Sequence, residues 1–408
     1  MHPTSPSPTA HTRVVRVLVL LGIALSAFNL RTAVTSLTPL LDLLGDRFGF
    51  GSTTAGVIGM LPTAAFAVFG VTTPVIARRI GIERTALLAM LLAAAGLGLR
   101  AQAQGIGVLM AGSIVALAGM GIGNVVLPPL VKRYFPARIG AVSTLYITVL
   151  QLGTMLPALL AVPLAEAAGW RIALGAWTLA AAVAALPWIG LLLVSRRQSP
   201  DVAGNGHTHA APTAPTGRTW RSPVAWGMTL MFGTTSLVTY AVFTWLPTLL
   251  TEAGASPAFG GTMVALFAAL GLTSALAMPS IAVRMRNPFP VVVVCAIAYV
   301  GAFSGLLFAP MTAPVLWVIL LGLGPSTFPL SLTLINMRTR SPTGSAALSG
   351  FMQGVGYAFS CLGPLLFGVL HAATGGWHWP FAMLFGFVGV LLVGGWLACK
   401  PRVLEDSW

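Results

Sequence analysis

The chain has 408 residues, of which 56% are hydrophobic and only 7% charged, with 22 Lys and Arg against 8 Asp and Glu. A soluble domain carries about a quarter charged residues and a disordered chain needs low hydrophobicity, so this composition excludes both, and a mean hydropathy of +0.89 points to a membrane protein. The net charge of +14 suggests nucleic acid at first sight, and the positions of the charges decide against it.

Residues 1–13 form a polar, Pro-rich tail. Arg13 and Arg16 then enter an apolar run over 14–41, too long for a signal-peptide core and therefore read as a retained transmembrane span. Further runs of spanning length follow at 53–77, 84–101, 105–130, 139–165 and 170–194. After a long polar break they resume at 223–250, 257–283, 288–309, 312–336, 343–371 and 378–399. A helix needs roughly 20 apolar residues to cross a bilayer, and none of these runs alternates with the period of two that a β-barrel requires. The sequence therefore predicts an all-α membrane protein of twelve spans, with both ends on one side. The break at 195–222, rich in Pro, Gly and Asn, reads as a flexible linker. It separates an N-terminal six-helix bundle over 14–194 from a C-terminal one over 223–399, and a short tail at 400–408 closes the chain.

The halves look duplicated. Pro74 to Arg78 pairs with Pro279 to Arg284, Gly169-Trp170-Arg171 with Gly376-Trp377-His378, and Pro39-Leu40-Leu41 with Pro247 to Leu250, at offsets of 205, 207 and 208. With both ends cytoplasmic, eighteen basic residues fall inside and only Arg47, Arg100 and Arg171 outside, the bias expected of inner loops. The basic residues are spread over seven short segments, which suits lipid headgroups and removes the nucleic-acid reading.

One cation is left over. Arg31 lies ten residues before Leu41 in the first span, about 15 Å from its expected outer end, where a charge costs roughly 2.5–3.5 kcal/mol. All eight carboxylates fall in loops or at span ends, so Arg31 is expected to lack an acidic partner. Two readings stand: a guanidinium satisfied by neighbouring carbonyls and hydroxyls, or a cation that binds a solute through its planar donor fork. Asn29, Thr32 and Ser36 recur beside it at helical spacing, as do Arg31, Thr35 and Thr38. Other polar candidates are Asn124 in span 4, Tyr146 and Gln151 in span 5, Tyr240 and Trp245 in span 7, Asn336 in span 10, and Gln353 and Tyr357 in span 11. Each of these alone reads first as an interhelical hydrogen bond and only second as a ligand contact. Gly119-x-x-x-Gly123 and Gly350-x-x-x-Gly354 read as close-packing signals. Pro62, Pro128, Pro157, Pro187, Pro247, Pro325, Pro329 and Pro364 are expected to interrupt helices. Cys295, Cys361 and Cys399 are scattered, and His207-Thr208-His209 has no further ligand nearby, so no metal and no cofactor is expected.

Twelve spans in two halves resemble the major facilitator superfamily. Two strings are more specific: Phe28-Asn29-Leu30-Arg31-Thr32-Ala33-Val34-Thr35-Ser36 through Leu41, and Gly121-Ile122-Gly123-Asn124-Val125-Val126-Leu127-Pro128-Pro129 through Pro136. Both are similar to the cyanate and nitroimidazole transporter (CynX/NimT-type) branch. The resemblance implies a small-molecule substrate, a monomer in a bacterial inner membrane, and a gating loop after span 2 that would comprise Arg78, Arg79, Gly81, Glu83 and Arg84. That loop departs from the superfamily pattern, because Arg78 stands where an Asp is usual. It further implies alternating-access transport of a small anionic or polar solute such as cyanate, anchored by Arg31, or alternatively export of a toxic compound such as a nitroimidazole. No nucleophile–base set or metal motif supports an enzyme.

Overall fold

The computed structural model describes residues 10–196 and 218–407, and among these the chain is helical, with no strand. Twelve helical segments are long and apolar enough to cross a membrane, and eleven lie within four residues of the expected bounds. Helices dominate because lipid offers no partner to backbone N–H and C=O groups, so each must be satisfied within its own segment. Their ends follow local chemistry: Ser256 accepts a bond from the Phe259 amide at 3.2 Å, with Pro257 in the first turn. Gly49, with a φ of 70°, supplies the left-handed C-cap that ends span 1. The expected linker falls mostly on 197–217, outside the described residues.

Span 1 is the exception. It was expected as one helix over 14–41 and instead runs from Arg13 to Phe48 in broken pieces. The helix Ala10–Asn29 stops, a short turn of helix covers Thr32–Thr35, a 3₁₀ turn covers Thr38–Leu40, and Leu41–Phe48 completes the crossing. Several residues cause the break. Pro39 lacks an N–H and its ring crowds the carbonyl four residues back. The hydroxyls of Thr32, Thr35 and Ser36 bond back to the carbonyls of Asn29, Arg31 and Thr32, which competes with the helical ladder.

Span 10 is also interrupted, by a 3₁₀ turn at Gly324–Ser326 that contains Pro325. Span 11 bends at Cys361, three residues before Pro364. The other prolines expected to interrupt helices do not. Pro62, Pro128, Pro157, Pro187 and Pro247 lie inside unbroken helices, and Pro329 sits in the first turn of Thr327–Met337. One missing N–H is tolerated where neighbouring helices satisfy the freed carbonyl.

Glycine packing is uneven. A Cβ at Gly119 would collide with the Ala89 carbonyl, and one on Gly96 would meet the Ala116 amide nitrogen, so spans 3 and 4 approach backbone to backbone. Gly123 abuts Leu30. Gly350 and Gly354, by contrast, have nothing within 4 Å, so that second motif is no packing seam.

The even number of spans puts both ends on one face, called here the terminal face. Ties between the first six and last six spans gather at the opposite, far face and at mid-depth. Thr248 donates to Asp42 at 2.9 Å, Ser52 pairs with His371 at 3.2 Å, and Thr63 donates to the Cys361 thiol at 3.3 Å. Gly56 and Gly368 let spans 2 and 11 touch there. Among the described residues no hydrogen bond joins the two sets nearer the terminal face.

The end of the chain folds back on that face. Arg338 is 5% exposed and donates to the Ala398 and Cys399 carbonyls at 3.0 and 2.7 Å, satisfying the open end of span 12. Glu405 accepts from the Arg340 and Ser341 amides and the Ser341 hydroxyl, each at 3.0 Å. Partial burial alone would raise its pKa, but these bonds win and hold it below the usual 4.5. A depressed carboxylate stabilises the fold above its unfolded pKa, and that stabilisation is lost as pH falls through the folded value. Protection factors for hydrogen exchange over 402–407, taken against the intrinsic rate at each pH, should therefore be high at neutral pH and fall as the pH drops below 4.5. In Glu405→Gln they should be low throughout.

Candidate functional site

The break in span 1 sets the position of Arg31. Its backbone is non-helical, with φ −131° and ψ −6°, and it caps the short turn Thr32–Thr35. It lies eighteen residues after Arg13 and seventeen before Phe48, close to the middle of the crossing. Irregular backbone at this depth is tolerated only inside protein or beside a cavity. Two hydrogen bonds leave from Nη1, to the Leu30 carbonyl at 3.0 Å and to Asn124 Oδ1 of span 4 at 3.4 Å. The guanidinium stacks over the Phe66 ring of span 2 at 4.8 Å, an attractive contact between a cation and a π face. The side chain is half-buried, and Nε and Nη2 make no hydrogen bond among the described residues. No carboxylate lies within ion-pair distance of it among those residues.

Three tyrosines gather around this charge. Tyr146 of span 5, Tyr240 of span 7 and Tyr357 of span 11 all lie within its electrostatic reach. Aromatic contacts join two of them, Tyr240 and Tyr357, to Phe66: it meets Tyr357 at 5.5 Å and Tyr240 at 6.1 Å, and Tyr357 meets Phe232 at 5.0 Å, centroid to centroid. Beyond Tyr240 the chain of rings continues through Phe243 to Phe267. The result, among the described residues, is a cation without an ion pair, stacked on a ring that itself meets tyrosines of the second half of the chain. Such a surface offers donors to an anion or a polar group and flat faces to a planar one.

From the expected set, Asn124 bonds Arg31 directly, Tyr240 and Tyr357 meet the Phe66 ring on which it stacks, and Tyr146 lies within its electrostatic reach. The structure places the others differently. Asn29 donates to the Leu25 and Ala180 carbonyls at 2.9 and 3.2 Å, tying span 1 to span 6. Thr32 is fully buried and bonds the Asn29 carbonyl. Gln151 donates to the Ala268 carbonyl at 2.6 Å, a tie across the halves, while Gln353 bonds Ser349 on its own helix at 2.8 Å. Trp245 donates to the Pro364 carbonyl at 3.0 Å and joins His371, Phe367 and Trp377 in an aromatic cluster. Asn336 is exposed, with no side-chain bond among the described residues. At the loop after span 2, Gly81 takes a φ of 90°. Glu83 binds Arg133 at 3.0 Å and accepts from the Tyr134 hydroxyl at 2.8 Å. Arg78, Arg79 and Arg84 are exposed.

Arg100 corrects the charge inventory. Expected at the outer surface, it is fully buried and donates to the Ala33 carbonyl at 2.6 Å and to Ser36 Oγ at 2.9 Å. Among the described residues the membrane part thus holds a second buried cation besides Arg31, bonded to the broken segment itself. Asn29, Thr32 and Ser36 are all buried, and Ser36 accepts from Arg100 rather than lining the Arg31 guanidinium. Sequence reasoning also missed Phe66, since one Phe in an apolar helix looks like any other. Arg100 gave no signal either, because it stands one residue before the end of its span at Ala101.

The family model described as Major Facilitator Superfamily matches residues 20–361. The "2-nitroimidazole transporter" of Escherichia coli K12 is 33% identical, over 90% of this chain and 91% of its own. The "Cyanate transport protein CynX" of the same organism is 29% identical, over 92% and 95%. Among solved structures, a bacterial homolog of the human lysosomal transporter Spinster, in an inward-facing and occupied conformation, superposes with a TM-score of 0.73. That match covers 98% of this chain and 99% of the other, at 14% identity, and it supports the fold alone.

Proposed function

This chain belongs to the Major Facilitator Superfamily, and from that premise we propose that it carries a small anionic or polar solute by alternating access, with Arg31 as the substrate anchor. One observation carries the reading: an unpaired guanidinium at mid-depth, on non-helical backbone, with Nε and Nη2 free. A charge in the membrane is costly and persists where it has a use. Asn124 and the three tyrosines would complete the polar contacts, with Phe66 orienting the guanidinium. The halves 14–194 and 223–399 would rock about this site as in other transporters built from repeats. The fold and relatives are those of small-solute transporters rather than enzymes.

The Lys and Arg bias supports cytoplasmic termini in a bacterial inner membrane, and removing Arg100 from the outer count sharpens it, leaving Arg47 and Arg171. The loop Arg78, Arg79, Gly81, Glu83 and Arg84 would then lie on the cytoplasmic side, where Glu83 links it to span 4. The protein would work as a monomer. With no carboxylate beside Arg31, coupling would rest on the substrate's own proton or on downhill movement. A second reading, export of a flat toxic compound such as a nitroimidazole, is favoured by the rings of Phe66, Tyr240 and Tyr357 and by the name of one relative.

The test is reconstitution. Proteoliposomes should take up at least one member of a panel of radiolabelled cyanate, nitrate, small carboxylates and 2-nitroimidazole, measured with and without a pH gradient. An anion that is carried, and that competes with the rest of the anions, supports the leading reading. Transport of the neutral nitroimidazole alone supports the second. Uptake of none of them, by protein shown to be folded, overturns both.

A further inference from the structure

We propose that Arg100 is a positioning residue for the transport site: it clamps residues 30–37 of span 1 in the broken conformation that aims Arg31 between the two halves. This rests on the role given to Arg31 above, but the observations behind it are separate. In a continuous helix the Leu37 amide would bond the Ala33 carbonyl four residues back. Here it bonds the Val34 carbonyl at 3.1 Å instead, and the Ala33 carbonyl is released inside the protein. An orphaned buried carbonyl is destabilising. Arg100 Nη1 fills that vacancy at 2.6 Å.

The second nitrogen extends the hold. Nη2 donates to Ser36 Oγ at 2.9 Å, and Ser36 donates onward to the Thr32 carbonyl at 2.6 Å. Thr32 in turn donates to the Asn29 carbonyl at 3.1 Å. The chain of bonds therefore runs from span 3 through Ser36 and Thr32 to Asn29, the last residue of the first helical piece, two positions before Arg31. Arg100 is completely buried, and among the described residues no carboxylate is in reach and its Nε has no partner. A cation kept so deep with an unsatisfied N–H is poor for stability alone, whereas a planar fork is suited to two acceptors of a non-helical segment. Span 3 is brought close enough by backbone contact with span 4, where a Cβ on Gly112 would meet the Arg100 backbone nitrogen at 2.6 Å. Arg100 itself touches no solute; it acts through the conformation of residues 30–37.

The test uses the full-length protein with two readouts. Hydrogen exchange over residues 30–40 reports the break directly and needs no substrate. Uptake of whichever panel compound the wild type carries gives KM and kcat. Arg100→Met should accelerate exchange over 30–40 at least tenfold. It should raise KM at least tenfold while kcat stays within threefold. Arg100→Lys, which keeps one cationic donor, should recover most of both, and Ser36→Ala should fall between. Wild-type exchange and wild-type KM in Arg100→Met would overturn the proposal, as would a fall in kcat alone that Lys does not rescue. If Arg100→Met is recovered only as aggregate, Ser36→Ala decides by the same two readouts, since it removes one bond and leaves the guanidinium. The two ideas fail separately. Full transport by Arg31→Gln would remove the anchor and leave the exchange result standing, while unaltered exchange in the Arg100 variants would remove the positioning role whatever Arg31 does.

Discussion

Arg31→Gln should abolish concentrative or exchange uptake of an anionic substrate while leaving the protein folded. A hydrogen bond to a charged group contributes about 1.5–3 kcal/mol. Losing two of them, with the charge itself, amounts to roughly 3–6 kcal/mol, or more than 100-fold in kcat/KM. The fold should not suffer in proportion. Among the described residues Arg31 makes no ion pair, and its protein bonds are confined to Nη1. Removing a mid-membrane charge also relieves about 2.5–3.5 kcal/mol of insertion cost. The expected signature is therefore unusual for a half-buried residue: transport lost, Tm unchanged or raised. Arg31→Lys should retain part of the affinity, because a point charge survives without the planar fork. Transport kinetics in proteoliposomes and thermal unfolding in detergent check both halves of this. Transport at the wild-type rate by Arg31→Gln would end the anchor reading.

The largest effect on stability is expected at Gly153. A Cβ there would run into the Phe28 carbonyl, with the Phe28 Cα also only 2.7 Å away. Both are backbone atoms of span 1, which cannot move aside like the end of a flexible side chain. Overpacking of this kind costs about 1–3 kcal/mol and occasionally more, and a backbone-to-backbone contact falls at the upper end. Gly153→Ala should lower Tm by several degrees or prevent recovery of monodisperse protein. The displaced residue is Phe28, next to Asn29 and the break, so any protein that survives should also bind substrate more weakly. Gly354→Ala is the control: nothing lies within 4 Å of a Cβ there, and its unfolding should match the wild type. Size-exclusion profiles and thermal melts of the two variants decide. Equal behaviour would show that spans 1 and 5 are not in backbone contact at Gly153.

Much of this was readable beforehand because the bilayer reduces folding to a few rules. A span must be long and apolar, loops collect the charges, and a duplicated chain repeats its turns, so eleven span bounds follow from composition alone. Arg31 was legible for the same reason, as a charge in an apolar run draws notice wherever it points. Arg100 was not. It stands one residue before the end of span 3 at Ala101, where a surface position is the ordinary expectation. Only the neighbouring broken helix, sixty-seven residues away in sequence, explains its burial. The two glycine motifs were indistinguishable as strings, yet Gly119 faces a neighbouring backbone and Gly350 faces nothing within 4 Å. A small residue permits close approach but does not supply the partner.

The same division holds for the site. Sequence by itself determined the class of protein, its twelve spans and the presence of an unpaired mid-membrane cation, because each follows from the cost of placing polar groups in hydrocarbon. It could list polar residues within spans but not sort them, since a helix has faces and the sequence does not say what each face meets. The tertiary structure decided that Asn124 bonds Arg31 and that Tyr240 and Tyr357 meet the Phe66 ring on which it stacks, while Asn29, Thr32 and Gln151 bond to backbone carbonyls. It also decided that span 1 is broken. That break depends on Pro39 and three hydroxyls in the chain and on Arg100 from outside it, and a bond donated across helices leaves no local trace in the segment that accepts it.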